Sequence, residues 1–177
     1  MKFPKRLFAL FFLLTLGSSF SLQAFADEED DDLPPVTVVQ TSDLRADAEL
    51  ARQRHVPILL MFAQHGCSWC RYVEEDQLKP MLRNADYRAQ VIIRQVMIDD
   101  FSVITDFDGS QTKAASLAMR YNAPLTPTVV FIDDTGKLLA PRIVGVRNTE
   151  FYGGELDEAL AQSAQKIRQQ LAALSLK

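Results

Sequence analysis

Cysteine is scarce in this chain, with two among 177 residues. Two are too few for a disulfide-dense mini-protein or a four-cysteine zinc module. Histidine is equally scarce, and His55 and His65 lack the spacing that would complete a two-cysteine, two-histidine finger. No metal and no bound cofactor are therefore expected. Positive charge is also short: 19 Lys and Arg face 23 Asp and Glu, for a net charge of −4. Nucleic acid demands a basic footprint, so it is not an expected partner. A calcium loop is not expected at Asp106-Phe-Asp108-Gly109, which lacks the third oxygen ligand and the closing glutamate of that pattern. What remains, 47% apolar and 24% charged residues, has the balance of an ordinary globular domain.

The N-terminus has a separate character. Lys2, Lys5 and Arg6 precede the apolar run Leu7 to Leu16, and Ala24-Phe25-Ala26 follows. Basic start, apolar centre and small-residue site form a secretory signal peptide over residues 1–26. The apolar run is about half the roughly 20 residues of a spanning helix, so stable membrane insertion is not expected. Cleavage leaves 151 residues and shifts the net charge from −4 to −7. The expected compartment is the periplasm, where disulfides form. Residues 27–41 read as a leader: six consecutive acids, Asp27 to Asp32, then Pro34-Pro35 and a short strand within Val36 to Gln40. The folded domain is expected over 42–177.

Within it, Ser42 or Asp43 caps a helix to about Arg54 with Leu44, Ala48 and Ala51 on one face. Pro57 to Ala63 is an unbroken apolar run, suited to a strand buried on both faces. A helix follows Cys70, and Pro80 is expected to end or kink it. Val91 to Ile98 is a second buried strand, Asp100 to Thr112 a polar loop, and Lys113 to Tyr121 a short helix. Thr128 to Ile132 is a third strand, turning at Asp133 to Gly136 into a fourth over Leu138 to Val144. Glu155 to Leu174 is a long amphipathic helix whose stripe is Leu156, Leu160, Ala164, Ile167, Leu171 and Leu174. This order predicts an α/β fold, a central mixed sheet flanked by helices.

Cys67-Ser-Trp-Cys70 sits where the buried strand gives way to a helix. A purely stabilising disulfide is one reading, but so small a ring restricts the unfolded chain by only about 2 kcal/mol. The redox reading explains the position. Unpaired N–H groups and the positive end of the helix dipole favour a thiolate there. Cys67 is then the nucleophile, and Cys70, one turn on, resolves the mixed disulfide. Thr126-Pro127-Thr128 opens the third strand, where a proline's missing N–H is tolerated.

Ile58 to Ala63, Cys67-Ser-Trp-Cys70, Val96 to Asp99, Thr126-Pro-Thr128 and Val129 to Asp133 with Gly136 together resemble the thioredoxin superfamily. The subgroup most similar is the secreted thioredoxin-related proteins of the SoxW/SoxS type. The resemblance implies a thioredoxin-like fold, Cys67 attacking, Cys70 resolving, and Pro127 as a cis-proline that holds substrate with Thr126. It also implies departures. The buried aspartate of thioredoxin falls at Met61, its partner lysine at Gln95, and the tryptophan before the first cysteine at Gly66. Substitutes for the missing acid–base pair are His65, as a cation near Cys67, and Glu74, one turn after Cys70. Each has a plainer reading as a solvated polar residue. Trp69 is either an apolar platform for substrate peptides or packing against the domain.

The expected function is a periplasmic thiol–disulfide oxidoreductase that reduces protein disulfides. Its partners are protein thiols and disulfides and a membrane thiol-electron donor. The alternatives are a peptide-binding thioredoxin-fold module, an oxidant or a disulfide isomerase. Known periplasmic isomerases of this fold are dimers with a separate dimerisation domain, for which 151 residues leave no room, which disfavours the isomerase. A monomer is expected.

Overall fold

The computed structural model describes residues 35–175. The expected signal peptide and the acidic part of the expected leader lie outside the described residues. The elements are β1 (Val39–Gln40), α1 (Leu44–Arg54), β2 (Ile58–Ala63), α2 (Ser68–Val73), α3 (Lys79–Arg83), α4 (Ala85–Gln90), β3 (Ile92–Met97), β4 (Val103–Thr105), β5 (Gln111–Lys113), α5 (Ala114–Arg120), β6 (Thr128–Ile132), β7 (Ile143–Val144) and α6 (Thr149–Ser175). The main sheet runs β1-β3-β2-β6-β7. β1 and β2 flank β3 in parallel, while β6 is antiparallel to both β2 and β7.

The central strand shows why an unbroken apolar run is needed. Successive side chains of a strand point to opposite faces. Leu59, Met61 and Ala63 enter one core with Cys70, Val73, Tyr152, Leu156 and Leu160. Ile58, Leu60 and Phe62 enter the other with Leu44, Ala51, Leu117 and Tyr121. α2 and α6 therefore cover one face of the sheet, and α1 and α5 the other.

Local chemistry sets the boundaries. Asp43 caps α1, its carboxylate accepting the Ala46 N–H at 2.9 Å. His55 ends the helix in the left-handed conformation at φ 55°. Asp47, buried on α1, accepts from Thr41 Oγ1 at 2.5 Å and from Arg94 Nε at 2.6 Å. This ties α1 to β3.

Five expectations need correction. Pro80 does not end the helix after Cys70. A π turn over Glu74–Leu78 intervenes, with the Lys79 N–H on the Glu74 carbonyl, and the chain stays helical to Arg83. A proline ring clashes with the carbonyl four residues back in a regular helix, and the wider turn relieves that clash. The polar stretch 100–112 is not all loop, since β4 and β5 pair antiparallel from Val103↔Lys113 to Thr105↔Gln111. Their polar residues hide the alternation that marks a strand. The expected fourth strand, 138–144, shrinks to β7 and an isolated bridge between Leu138 and Ile132. Pro141, in its middle, has no N–H for a ladder. α6 begins at Thr149 rather than Glu155, running through Gly153-Gly154. Its core contact is Tyr152, Leu156, Ala159, Leu160, Ser163 and Ile167. Leu171 and Leu174 of the expected stripe are exposed, at the rim of a shallow cleft they line with Ala51, His55 and Val56.

Candidate redox site

β2 ends at Ala63 on the central strand, and the turn Gln64-His65-Gly66 carries the chain into α2. Gly66 has φ +71°, a conformation in which an L side chain is strained. Cys67 is the N-cap of α2, with extended backbone at φ −77°, ψ 106°. Its Sγ accepts the N–H of Cys70 at 3.1 Å, one of the helix donors that would otherwise lack a partner. A sulfur in that position is favoured as an anion.

Cys67 and Cys70 form a disulfide with Cα atoms 5.2 Å apart. The two sulfurs differ in access: Cys67 is half-buried and Cys70 buried. An incoming disulfide meets Cys67 first.

The loop before β6 faces this pair. Thr126 Oγ1 donates to Cys67 Sγ at 3.7 Å. The Thr126–Pro127 peptide bond is cis. The Pro127 carbonyl accepts from Gly145 N–H at 2.8 Å, and the Leu125 carbonyl accepts from Thr128 Oγ1 at 2.6 Å. These bonds hold the loop from both sides. The site is therefore assembled from the C-terminal end of β2 and the N-terminal end of β6, which lie together because the strands are antiparallel with Phe62 opposite Thr128.

Trp69 is half-exposed and packs edge-on against Tyr72, with ring centroids 5.9 Å apart. Tyr72 in turn meets Tyr152 of α6, and its hydroxyl donates to the Thr149 carbonyl at 3.2 Å. Trp69 therefore packs against the domain through Tyr72 while half of its surface stays exposed. Leu125 and Phe151 are also exposed.

Met61 is fully buried beside Gln95 across the β2–β3 ladder, so the position holds hydrocarbon and no carboxylate. Gln95 spends its amide N–H on Met97 Sδ at 3.4 Å. His65 is brought to two carboxylates: its Nδ1 lies 3.2 Å from Asp99 Oδ2 and 3.7 Å from Asp100 Oδ1. The Glu74 carboxylate makes no hydrogen bond or ion pair among the described residues, and it opens the π turn. Asp106, in the stretch weighed for calcium, takes Arg120 in a two-point pair at 2.6 and 2.9 Å.

Asp99 and Asp100 were not singled out by sequence reasoning as partners of His65. A signal existed. β2 and β3 are parallel and pair Ala63 with Met97, so residues two beyond each strand end come together.

Comparison with known proteins adds the following. The sequence pattern of the thioredoxin-like domain family matches residues 44–160. No curated protein matches the chain. Among solved structures, Fasciola hepatica thioredoxin is 16% identical, with a TM-score of 0.47, over 71% of this chain and 99% of its own. Thioredoxin NaTrxh from Nicotiana alata is 16% identical, with a TM-score of 0.49, over 73% of this chain and 97% of its own. Thioredoxin O2 from Arabidopsis thaliana, in its oxidised state, is 19% identical, with a TM-score of 0.45, over 71% of this chain and 93% of its own.

Proposed function

We propose, from the premise that this chain belongs to the thioredoxin-like domain family, that it is a periplasmic oxidoreductase that reduces protein disulfides. The observation that carries this is the Cys67–Cys70 disulfide, with its outer sulfur capping a helix and the Thr126-Pro127 loop set against it.

The steps balance as thiol–disulfide exchange. The Cys67 thiolate attacks one sulfur of a substrate disulfide, and the other substrate sulfur leaves as a thiolate and is protonated. Cys70, one turn further in, loses its proton and attacks Cys67 Sγ. The Cys67–Cys70 disulfide forms, and the second substrate sulfur departs as a thiol. Substrate gains two electrons and two protons, and the protein's dithiol loses them. A membrane thiol-electron donor then reduces the Cys67–Cys70 disulfide back to the dithiol.

Each neighbour has a part. The Cys70 N–H stabilises the departing or attacking Cys67 sulfur. Thr126 Oγ1 donates to the same atom. The exposed face of Trp69 offers apolar surface to the peptide flanking a substrate cysteine. A SoxW/SoxS-type pathway completes the reading, supported by the sequence resemblance.

The test is a trap. Cys70→Ser removes the resolving thiol, so covalent complexes should accumulate on Cys67 in periplasmic extract and vanish on adding dithiothreitol. No trapped species, together with a wild-type protein that does not reduce insulin, refutes the enzyme. A glutathione redox titration sets direction. A reductase should lie nearer about −270 mV, and a value near about −120 mV would make the protein an oxidant.

A further inference from the structure

The turn that delivers Cys67 to its cap is three residues long and is tied across to the end of β3. Asp99 Oδ2 accepts the His65 backbone N–H at 3.0 Å and lies 3.2 Å from His65 Nδ1. The Asp99 carboxyl is held below the ordinary carboxylate range: desolvation raises it, and the His65 N–H, Asp99's own backbone N–H and the imidazole together more than offset that. Asp100 adds a second carboxylate to the ring, and its other oxygen accepts from the Gln40 amide at 2.9 Å. Within the turn itself the one backbone bond is long, Cys67 N–H to the Gln64 carbonyl at 3.4 Å.

We propose that Asp99 is a positioning residue for Cys67: through the His65 backbone N–H it pins the Gln64–Gly66 turn and so holds the Cys67 sulfur against the Cys70 N–H. The inference rests on the reading above, in which Cys67 is the attacking thiolate. It differs from a direct electrostatic role for His65, because the imidazole is engaged by Asp99 and Asp100. The carboxylate has two opposed effects. Its charge, close to the redox helix, works against a thiolate. Its hydrogen bond fixes the turn that places the sulfur at the cap, which works for one. The proposal is that the bond outweighs the charge.

Asn and Ala at this position separate the two. Asp99→Asn keeps an oxygen for the His65 N–H and drops the charge, while Asp99→Ala drops both. The measurement is the thiolate absorbance of Cys67 against pH in the Cys70→Ser protein. EDTA is present so that no cation occupies His65, Asp99 and Asp100, whose ligand atoms lie within 4.8 Å of one another. Asp99→Ala should raise the midpoint and cut the thiolate fraction below it about fivefold, the worth of one weakened cap contact. Asp99→Asn should stay at or below the unsubstituted midpoint. Any other ordering of the three midpoints overturns the proposal, including equal shifts in both variants or no shift in either. The side chain of Asp99 is 41% exposed, so both variants should fold, with urea midpoints matching the parent. The titration does not depend on turnover. A protein that titrates as expected but reduces no disulfide refutes the proposed function and leaves the role of Asp99 standing.

Discussion

Alanine at Gly136 should separate stability from redox chemistry. Gly136 closes the Asp133–Gly136 turn at φ +80°, and a Cβ there would lie 2.8 Å from two ring carbons of Phe107 and 3.0 Å from the Tyr121 hydroxyl. Two costs follow. The left-handed backbone costs an L residue about 1–2 kcal/mol. Displacing Phe107 and the Tyr121 hydroxyl, which donates to the Gly136 carbonyl at 2.7 Å, costs about 1–3 kcal/mol as overpacking. Gly145 supplies the control: its φ is +66°, with nothing within 4 Å of the added carbon. Gly145→Ala should therefore lose only the backbone part, about 1–2 kcal/mol, and Gly136→Ala about 2–5 kcal/mol. Urea unfolding of the oxidised proteins measures both. Truncating Phe107 to Ala should make the Gly136 substitution cost less than it does alone, a coupling that a double-mutant cycle detects. Because β6 begins at the redox site and ends at this turn, the two lie at opposite ends of the sheet. The glutathione equilibrium of Gly136→Ala should match that of the parent. If Gly136→Ala is no less stable than Gly145→Ala, or if it shifts the redox equilibrium, the reasoning fails.

Other outcomes follow from the same packing. Asp47→Ala leaves Arg94 without its carboxylate in a largely buried setting and should cost about 3 kcal/mol by urea unfolding, with Asp47→Asn costing less. Burial pushes the Tyr121 phenol up from 10.0 to about 12 and raises Tyr152 in the same direction. The raised folded pKa makes their contribution whole below pH 10 and progressively lost above it, for Tyr121 as pH climbs through 12. Stability should fall over that window by up to about 1.4 kcal/mol per pH unit for each tyrosine, and Tyr121→Phe should flatten the fall. Trp69→Ala should lower kcat/KM for a protein disulfide about fivefold, as loss of a modest contact residue does, while leaving the glutathione equilibrium unchanged. Equal losses on both would assign Trp69 to the fold alone.

The parts legible in the sequence are those that depend on neighbours along the chain. The cap at Asp43, the doubly buried run Ile58–Ala63 and the placement of Cys67 and Cys70 across one helical turn each follow from a few consecutive residues. Periodicity and capping are short-range physics, so local sequence carries them. The same limit explains the errors. A stripe on α6 shows that Leu171 and Leu174 share a face with Leu156, but not that they stay exposed at the rim of a cleft instead of entering the core. Pro80 signals a clash in a regular helix, but not that a π turn removes it.

Every relation across long separations came from the packed fold. Cys67 lies 59 positions from Thr126, and His65 lies 34 from Asp99. The antiparallel pairing of β2 with β6 makes the first meeting, and the parallel pairing of β2 with β3 makes the second. Local pattern alone places a cysteine pair at the start of a helix beside a buried strand. Which side chains converge on its sulfur depends on how the strands are ordered and registered, and that is fixed only when the two cores pack on opposite faces of one sheet.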